Sequence, residues 1–365
     1  MVPLRRLESF TIFLGKLVFR IRKPFIIAVT GSVGKSTTTA LIASVLASKE
    51  AGRIVGPVGS TVENMNDNLG VAATLLRFDG VLELPWNYLD RMALLLLLPF
   101  RAMRVLCGSY PKVMVLECGV GDTANLHELV ALAPPTVSVV TRIGAAHLQK
   151  LKTIDGVIEE KGALVRAVPP SGLVVLGQDH EYVARFEQMA RAPVVKVPGQ
   201  GVELSQNIAR AICRYMGIPD EVVASALKDF KNPKGRLNRL QVGDILIIDD
   251  TYNANPLSMK LGLDTLAREA GQGTRKLAVL GGMSELGEND ASFHEEIAAY
   301  ARSRSDLLVG VGDLARRYNP DIWFETSEAC ADQIAKLVHP GDCVFVKGSA
   351  STRMSRVVER LREVA

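Results

Sequence analysis

Short apolar runs alternate with helical spacing of apolar residues along the first half of the chain. The β-rich runs at residues 25–29, Val113–Glu117 and 136–141 predict buried strands. A glycine loop follows the first of these runs, and residues 36–47 then have the apolar spacing of a helix. Alternating strands and helices are typical of a parallel α/β sheet. The pattern therefore predicts a domain of this class over residues 25–200.

The second half repeats this alternation after a cluster of Pro and Gly at residues 198–201, which is typical of a linker. We predict a second α/β domain over residues 201–365 and a basic amphipathic helix over residues 1–24. The predicted helices of the second domain are 203–216, 222–230, 257–269 and 354–364. Its predicted strands are Ile245–Asp250, Lys276–Gly281, Leu307–Val311 and Cys343–Lys347.

The segment TGSVGKST, residues 30–37, lies between the first predicted strand and its helix, the context of a phosphate-binding loop. Its glycines let backbone N–H groups face phosphate oxygens, next to a helix N-terminus. Lys35 would neutralise the outer phosphates, and the hydroxyl of Ser36 or Thr37 would bind Mg²⁺. Val29 replaces the first glycine of the full pattern. We predict ATP and Mg²⁺ as cofactors, with the nucleotide held by Thr30, Gly31, Ser32, Gly34, Lys35, Ser36 and Thr37.

Composition narrows the class of protein. The 365 residues carry a net charge of +4, with charged residues at 22% and hydrophobic residues at 48%, which is a globular composition. No basic stripe with interleaved aromatic residues is present, so we predict no nucleic-acid partner. Five cysteines without a CxxC pair predict neither a disulfide framework nor a zinc site, and indicate the cytoplasm.

Two apolar stretches raise the question of a membrane. Residues 10–21 contain Lys16 and Arg20, and no small-residue cleavage site follows before the phosphate loop, so the pattern does not favour a signal peptide. Residues 92–100 are strongly apolar but too short to span a bilayer. The flanking Arg91, Arg101 and Arg104 fit an amphipathic surface helix with weak contact to a membrane surface. A buried helix is the alternative that we favour, because short apolar runs usually lie in a core.

Several further motifs, in a fixed order along the chain, give this sequence a family resemblance. They are TVENMNDNLG at 61–70, LECG at 116–119, TRIGAAHL at 141–148, EKG at 160–162, KGR at 234–236, DDTYNAN at 249–255, GGMSELG at 281–287 and VKGS at 346–349. Together with the phosphate loop, they resemble the Mur ligase family. The closest branch adds D-alanyl-D-alanine to a UDP-N-acetylmuramoyl tripeptide. The resemblance covers residues 25–365.

The resemblance implies roles for individual residues. Glu117 and His147 would be ligands of a second metal ion, in addition to Ser36 at the phosphate loop. Lys161 matches a lysine that is often carbamylated in the family. Arg236 would contact the γ-phosphate. Tyr252 and Asn253 would contact the nucleotide, and Asp250 and Lys347 are weaker matches. The implied catalytic set is Lys35, His147, Lys161 and Arg236.

Each assignment has a simpler alternative. Glu117 could be a solvated acid at a strand end, since acidic residues are mostly exposed. His147 could be a loop histidine satisfied by backbone groups, and Lys161 a surface lysine. His127, His180, His294 and His339 lack comparable context, and we predict structural or surface roles for them.

The fold implied by the motifs is α/β, with a P-loop parallel-sheet central domain and a Rossmann-like α/β C-terminal ligase domain. The implied activity is that of an ATP-dependent acid–amino-acid ligase, which converts a carboxylate to an acyl phosphate for attack by an amine. Its substrates would be small molecules or peptides that supply the carboxylate and the amine. Two alternatives stay open: a ligase for a different acid, such as a peptide, polymer or cofactor precursor, and a non-catalytic ATP-binding partner.

The sequence departs from the family branch at its N-terminal end. Only 24 residues precede the first predicted strand, where the branch has a domain that binds the uridine nucleotide. The central domain is also short after residues 174–176, and Arg142 and Gly282 stand where the branch usually has Asn and Asp. A partner chain is one way to supply substrate recognition.

We therefore expect the 365-residue chain to bind ATP with Mg²⁺ but to bind UDP weakly or not at all, because contacts to the remote end of a substrate contribute much of its binding energy. Calorimetry with each nucleotide checks this. Micromolar UDP binding without competition from ATP would contradict it.

Overall fold

The computed structural model describes residues 4–62, 65–78, 88–120, 125–179 and 181–364. The chain divides into two compact units. The first comprises Met1–Ile143 and Asp155–Lys231, and the second comprises Gly144–Ile154 and Asn232–Ala365. Each unit contains its own six-stranded sheet.

Parallel strands form the whole sheet of the first unit. Consecutive strands are linked by crossovers that contain helices, the connection that parallel strands need. One of the two central strands is β1 (Phe25–Thr30), and its Val29 is paired in register with Glu117 of β3 (Val113–Glu117). Across the sheet the order is β2 (Val58–Ser60), β3 (Val113–Glu117), β1 (Phe25–Thr30), β4 (Val137–Val140), β5 (Leu173–Gly177) and β6 (Val194–Val197).

Helices of the first unit bury the apolar side chains of this sheet. On one side, Leu41 and Val45 of α2 (Lys35–Leu46) pack with Ile208 and Ile212 of α10 (Gly201–Tyr215) in a single core cluster. Thr38 and Ser205 also share a hydrogen bond of 2.8 Å between their hydroxyl oxygens. The helices are α1 (Leu4–Arg22), α2 (Lys35–Leu46), α3 (Lys49–Val55), α4 (Asn68–Leu75), α5 (Tyr88–Cys107), α6 (Leu126–Leu132), α8 (Ile154–Ala167), α9 (Val183–Met189), α10 (Gly201–Tyr215) and α11 (Asp220–Lys228).

The sheet of the second unit is parallel except for the antiparallel pair of β7 and β8. Its strand order is β11 (Ile322–Phe324), β10 (Leu307–Val311), β9 (Lys276–Gly281), β12 (Cys343–Lys347), β8 (Ile245–Asp250) and β7 (Asn238–Val242). Apolar helix faces cover both sides of it. The helices are α7 (Leu148–Leu151), α12 (Pro256–Glu269), α13 (Asp290–Arg302), α14 (Ser327–Ile334) and α15 (Ser355–Val364), with 3₁₀ turns at Gly287–Asn289, Asp313–Tyr318 and Ala350–Thr352.

The α/β class predicted from the sequence is confirmed in both units. Two details differ from the sequence analysis. Helix α1 is packed rather than appended, because Leu7, Leu14 and Val18 are buried against α4 and α5. Helices α10 and α11, which the sequence analysis assigned to the second domain, pack on α2 in the first unit. The first unit therefore extends to Lys231, and the second unit consists of the segment from Asn232 onward together with Gly144–Ile154.

Candidate active site

The phosphate loop has two residues with positive φ, and both of them are glycines. Strand β1 ends at Thr30, and the chain then passes through Gly31 with φ 146° and Gly34 with φ 88°. Such angles favour glycine, since a Cβ is crowded there. Gly34 is the N-cap residue of α2, so the first N–H groups of that helix lie directly after the loop. The ammonium of Lys35 donates to the carbonyl of Gly31 at 3.0 Å.

Thr141, which follows β4, holds the loop from the neighbouring strand. Its hydroxyl donates to the carbonyl of Val33 at 2.6 Å and lies 3.2 Å from the carbonyl of Thr30. The backbone N–H of Ser32 donates to the carbonyl of Arg142 at 2.6 Å. These bonds leave no room beside the first glycine, where a Cβ would lie 1.9 Å from the hydroxyl oxygen of Thr141. Thr141 lies in a motif of the sequence analysis but was given no role there.

We expect Gly31→Ala to weaken ATP binding by about tenfold or more, because the loop must move away from Thr141 and because alanine is strained at this φ. Fluorescent-nucleotide titration measures the effect. Gly217→Ala is the matched control: it also has a positive φ, of 74°, but no atom within 4 Å of the added Cβ. Equal ATP affinities for the two variants would contradict the steric argument.

Glu117 is the last residue of β3, adjacent to β1 in the sheet, and its side chain is mostly buried. The amide of Asn66 donates to its carboxylate at 3.0 Å, and its own backbone N–H donates to the hydroxyl of Thr61 at 2.8 Å. Both partners belong to the motif at 61–70, in which Glu63 and Asn64 lie outside the described residues. Asn66 orients Glu117 and was not identified from the sequence.

Lys161 is buried on α8, so it is not a surface lysine. Its ammonium nitrogen has no hydrogen-bond partner among the described residues. Burial, together with the positive charge of Lys35, lowers the pKa of Lys161 to about 7, although Glu160, Cys118 and Glu117 act in the opposite direction. An orphaned, easily deprotonated amine is the state in which a lysine can react with CO₂.

His147 lies in the second unit, at the start of α7, with a left-handed φ of 57°. Its Nδ1 lies 2.6 Å from a carboxylate oxygen of Glu285, and this hydrogen bond holds the pKa of Glu285 below its usual value. A cavity of about 750 Å³ lies beside the pair, lined by Ser284, Glu285 and Lys152 among others. Glu285 is therefore both the hydrogen-bond partner of His147 and part of the cavity wall. Glu285 was not identified from the sequence either.

Arg236 and Tyr252 lie together in the second unit. The guanidinium carbon is 3.5 Å from the centroid of the Tyr252 ring, a stacked arrangement. Gly235, with φ 68°, brings the two segments close, because its carbonyl accepts the backbone N–H of Tyr252 at 3.2 Å. The ring therefore orients the guanidinium by its face.

Lys347 ties the DDTYNAN loop to the end of β12. Its buried ammonium donates to the carboxylate of Asp250 at 2.5 Å and to the carbonyl of Asn253 at 2.7 Å. The side-chain oxygen of Asn253 accepts the N–H of Ala254 at 2.8 Å. Lys347 and Asp250 thus fix the backbone of the loop that presents Tyr252 and Asn253.

The three predicted metal ligands are divided between the units, with Ser36 and Glu117 in the first and His147 in the second. Across the described ranges, no three His, Cys, Asp or Glu side chains lie close enough to hold a metal ion by themselves. A hydroxyl and a carboxylate suit Mg²⁺, which takes oxygen ligands and keeps several waters. The ammonium of Lys161 has no hydrogen-bond partner among the described residues and is near enough to Glu117 to interact electrostatically with it. This is compatible with a metal site in which a modified Lys161 adds further oxygen ligands.

The remaining histidines were predicted to be structural or surface residues. His294 is fully buried; its Nε2 accepts the N–H of Met283 at 3.1 Å, and burial lowers its pKa to about 4. His127 is exposed, and His339 lies near Arg275 in the second unit. His180 lies outside the described residues.

Comparisons with known proteins match both units. The Mur ligase middle domain family matches residues 29–213, and the Mur ligase glutamate ligase domain family matches residues 235–350. Two solved structures share the fold over nearly the whole chain. A MurF ligase from Thermotoga maritima in complex with ADP has a TM-score of 0.78 and 21% identity, covering 98% of this chain and 83% of that one. E. coli FolC in complex with DHPP and ADP has a TM-score of 0.66 and 17% identity, covering 96% and 93%.

A curated relative extends the match to the level of sequence. The UDP-N-acetylmuramoyl-tripeptide–D-alanyl-D-alanine ligase of Mycobacterium tuberculosis (strain CDC 1551 / Oshkosh) is 30% identical over 92% of this chain and 72% of its own length. The family matches begin just before the phosphate loop and end just after Lys347, so they include every site residue described above. This chain belongs to the Mur ligase family.

Proposed function

We propose that this protein is an ATP-dependent ligase that forms an amide bond between a carboxylate and an amine. The observation that carries the proposal is the phosphate loop between β1 and α2, with Lys35 at the helix N-terminus and buried Glu117 on the adjacent strand. Family membership supports the reaction class.

The proposed reaction has two steps. A carboxylate oxygen of the acid attacks the γ-phosphorus of ATP, the bond to ADP breaks, and an acyl phosphate forms. The amine nitrogen then attacks the carbonyl carbon, loses a proton and expels inorganic phosphate. Both steps place negative charge on phosphoryl oxygens, so fixed cations and N–H groups aimed at them lower the barrier.

The chain's residues have distinct tasks in this proposal. Backbone N–H groups of residues 31–37 and the ammonium of Lys35 would hold the phosphates, and Ser36 would hold Mg²⁺, which would neutralise phosphate charge. Arg236, oriented by Tyr252, would contact the γ-phosphate, and Asn253 would contact the nucleotide. Glu117, and His147 with its partner Glu285, would be ligands of a second metal ion. These assignments are proposals supported by the local geometry of each unit.

Carbamylation of Lys161 is part of the proposal. A neutral amine adds CO₂ and loses a proton, which gives a carbamate whose oxygens suit Mg²⁺. The lowered pKa supplies the neutral amine near pH 7. For the native chain, turnover should fall in CO₂-depleted buffer and recover when bicarbonate is added. The turnover of Lys161→Arg should not recover with bicarbonate. A native enzyme indifferent to bicarbonate would remove this part of the proposal.

The M. tuberculosis relative suggests the substrates. We propose a UDP-N-acetylmuramoyl tripeptide as the acid and D-alanyl-D-alanine as the amine, in peptidoglycan synthesis. The test is to incubate the chain with ATP, Mg²⁺ and both substrates, and to measure phosphate release together with the product mass. Phosphate release that needs both substrates supports the proposal. Release with other acid and amine pools only would favour a ligase for a different acid, and no release with any pool would favour a non-catalytic ATP-binding partner.

A cytoplasmic location is also proposed. All five cysteines are free, four of them buried, as in proteins from a reducing compartment.

The buried Lys161 predicts how stability depends on pH. The pKa of Lys161 is about 7 in the folded chain and 10.5 for an ordinary lysine, as in the unfolded chain. Between these two pH values, Lys161 is therefore protonated in the unfolded chain and neutral in the folded chain. The free energy of unfolding should therefore rise with pH from about 7 to 10.5, relative to Lys161→Met, in which this slope is absent. Urea unfolding in CO₂-free buffer measures both. If the free energy of unfolding depended on pH in the same way in the two proteins, the claim that the amine of Lys161 is buried without a compensating charge would be contradicted.

A further inference from the structure

Helix α1 exposes large apolar side chains on the face that points away from its packing partners. Phe13, Leu17 and Ile21 recur every four residues and are 61%, 36% and 55% exposed. Leu7, Leu14 and Val18 are the buried side chains of the adjacent face. The apolar surface of the helix is therefore wider than the face that packs in the first unit, and folding of this unit alone does not explain the exposed part.

Helix α5 packs against α1 and has the same property. Leu98, Ala102 and Val105 are buried with the inner face of α1. Leu96, Phe100 and Met103, however, are 66%, 66% and 57% exposed, at helical spacing on another face. The sequence analysis favoured burial of residues 92–100. The structure describes the side chains of this run from Leu96 onward, and only Leu98 among them is buried, so the expectation is wrong for the others. Together with Leu97, the exposed side chains of both helices form what we call the apolar stripes.

The two helices are held together at their C-terminal ends. The guanidinium of Arg22 donates to the carbonyl of Val105 at 2.6 Å and to that of Gly108. The apolar stripes therefore belong to adjacent, mutually fixed helices rather than to separate segments. Clusters of exposed large apolar side chains usually mark an interaction site.

The charged residues of α1 and α5 are basic except for Glu8 and Asp90, which are near the N-terminal ends of the two helices. Residues 9–25 contain Lys16, Arg20, Arg22 and Lys23 and no Asp or Glu, and residues 91–115 contain Arg91, Arg101, Arg104 and Lys112 and again no acid. Arg20, Lys23 and Arg104 are exposed. Apolar side chains with basic neighbours are the pattern of a helix that lies in the interface of an anionic bilayer.

We propose that the apolar stripes of α1 and α5 bind the surface of a membrane that contains anionic lipids, with Phe13, Phe100 and Met103 inserted among the headgroups and Arg20 and Arg104 near lipid phosphates. No helix within the described ranges is long and apolar enough to cross a bilayer. The proposed contact is with the membrane surface. It does not depend on the ligase reaction.

Charge favours a lipid surface over a second copy of the chain. Two copies that met through their apolar stripes would bring the same basic residues together, and like charges at an interface oppose binding. An anionic headgroup layer instead attracts each nearby Lys or Arg by about 1 kcal/mol, a factor of about five in binding.

The experiment is flotation of the full chain with vesicles of phosphatidylcholine alone or mixed with phosphatidylglycerol. We expect binding to the mixed vesicles only. Phe100→Ser should lower the partition coefficient by about tenfold, the effect of removing a buried Phe, and Arg104→Gln by about fivefold. The matched controls are Ile54→Ser and Arg53→Gln on α3, where Ile54 is 51% exposed. ATP binding and circular dichroism should be unchanged in all four variants.

Three results would overturn the proposal. They are no binding of the native chain to mixed vesicles, equal binding to both kinds of vesicle, and equal losses from Phe100→Ser and Ile54→Ser. Sedimentation velocity adds a fourth test. A dimer that Phe100→Ser dissociates, without any vesicle binding, would assign the apolar stripes to a second copy.

Discussion

Lys35→Ala should lower ATP turnover by about 10²–10³-fold, the usual effect of removing one preorganised donor to developing negative charge. The ammonium of Lys35 lies at the N-terminus of α2 and donates to Gly31, so its deletion removes a cation from the phosphate loop while the apolar core stays intact. Phosphate release at saturating substrate, together with a thermal melt, measures activity and fold separately.

Lys49→Ala is the matched control for this loss. Lys49 is an exposed lysine at the first position of α3, another helix start in the same unit. Its variant should keep native turnover. Native turnover by Lys35→Ala would contradict the assignment of the loop to ATP phosphates.

Lys347→Met should lower the free energy of unfolding by about 3–5 kcal/mol, because it leaves the carboxylate of Asp250 buried without its cation. Lys347 is 2% exposed and Asp250 is 8% exposed, so water does not replace the lost ammonium. The variant also frees the carbonyl of Asn253, which should loosen the loop that presents Tyr252. Denaturant unfolding measures the stability, and nucleotide affinity measures the loop.

Two further variants separate the ion pair from general damage. Lys336→Met changes an exposed lysine of the same unit and should cost little. Lys347→Met combined with Asp250→Asn removes both charges and should recover part of the lost stability. A loss below about 1 kcal/mol in Lys347→Met would contradict the buried pair, since exposed pairs have that value.

The sequence predicts the central strands well because burial on both faces makes them continuous apolar runs. Val113–Glu117, Ile245–Asp250 and Cys343–Lys347 have the bounds that the sequence analysis gave. The missed strands are at sheet edges or are short. Strands β2 and β11 have three residues each, and β7 alternates half-buried and exposed positions as an antiparallel edge strand. Such patterns resemble loops until a neighbouring strand pairs with them.

Site residues can be predicted from the sequence when they lie at a recognised position of a motif. Residues that only orient another site residue cannot be predicted in this way. Lys161 was expected from a motif, but its complete burial depends on how α8 packs. Asn66 orients Glu117, Thr141 holds the phosphate loop, and Glu285 orients His147. Each does so through side-chain hydrogen bonds between residues that are 51 to 138 positions apart in the sequence. No local pattern encodes such pairs, because only the folded backbone brings them together.

An isotope experiment tests the acyl-phosphate reaction most directly. The acid substrate is labelled with ¹⁸O in its carboxylate and incubated with the chain, ATP, Mg²⁺ and the amine, and the released phosphate is analysed by mass spectrometry. The account predicts one ¹⁸O atom in inorganic phosphate and ADP as the other product, because the carboxylate oxygen that attacks the γ-phosphorus leaves with it. Unlabelled phosphate, or ¹⁸O in AMP, would contradict the account.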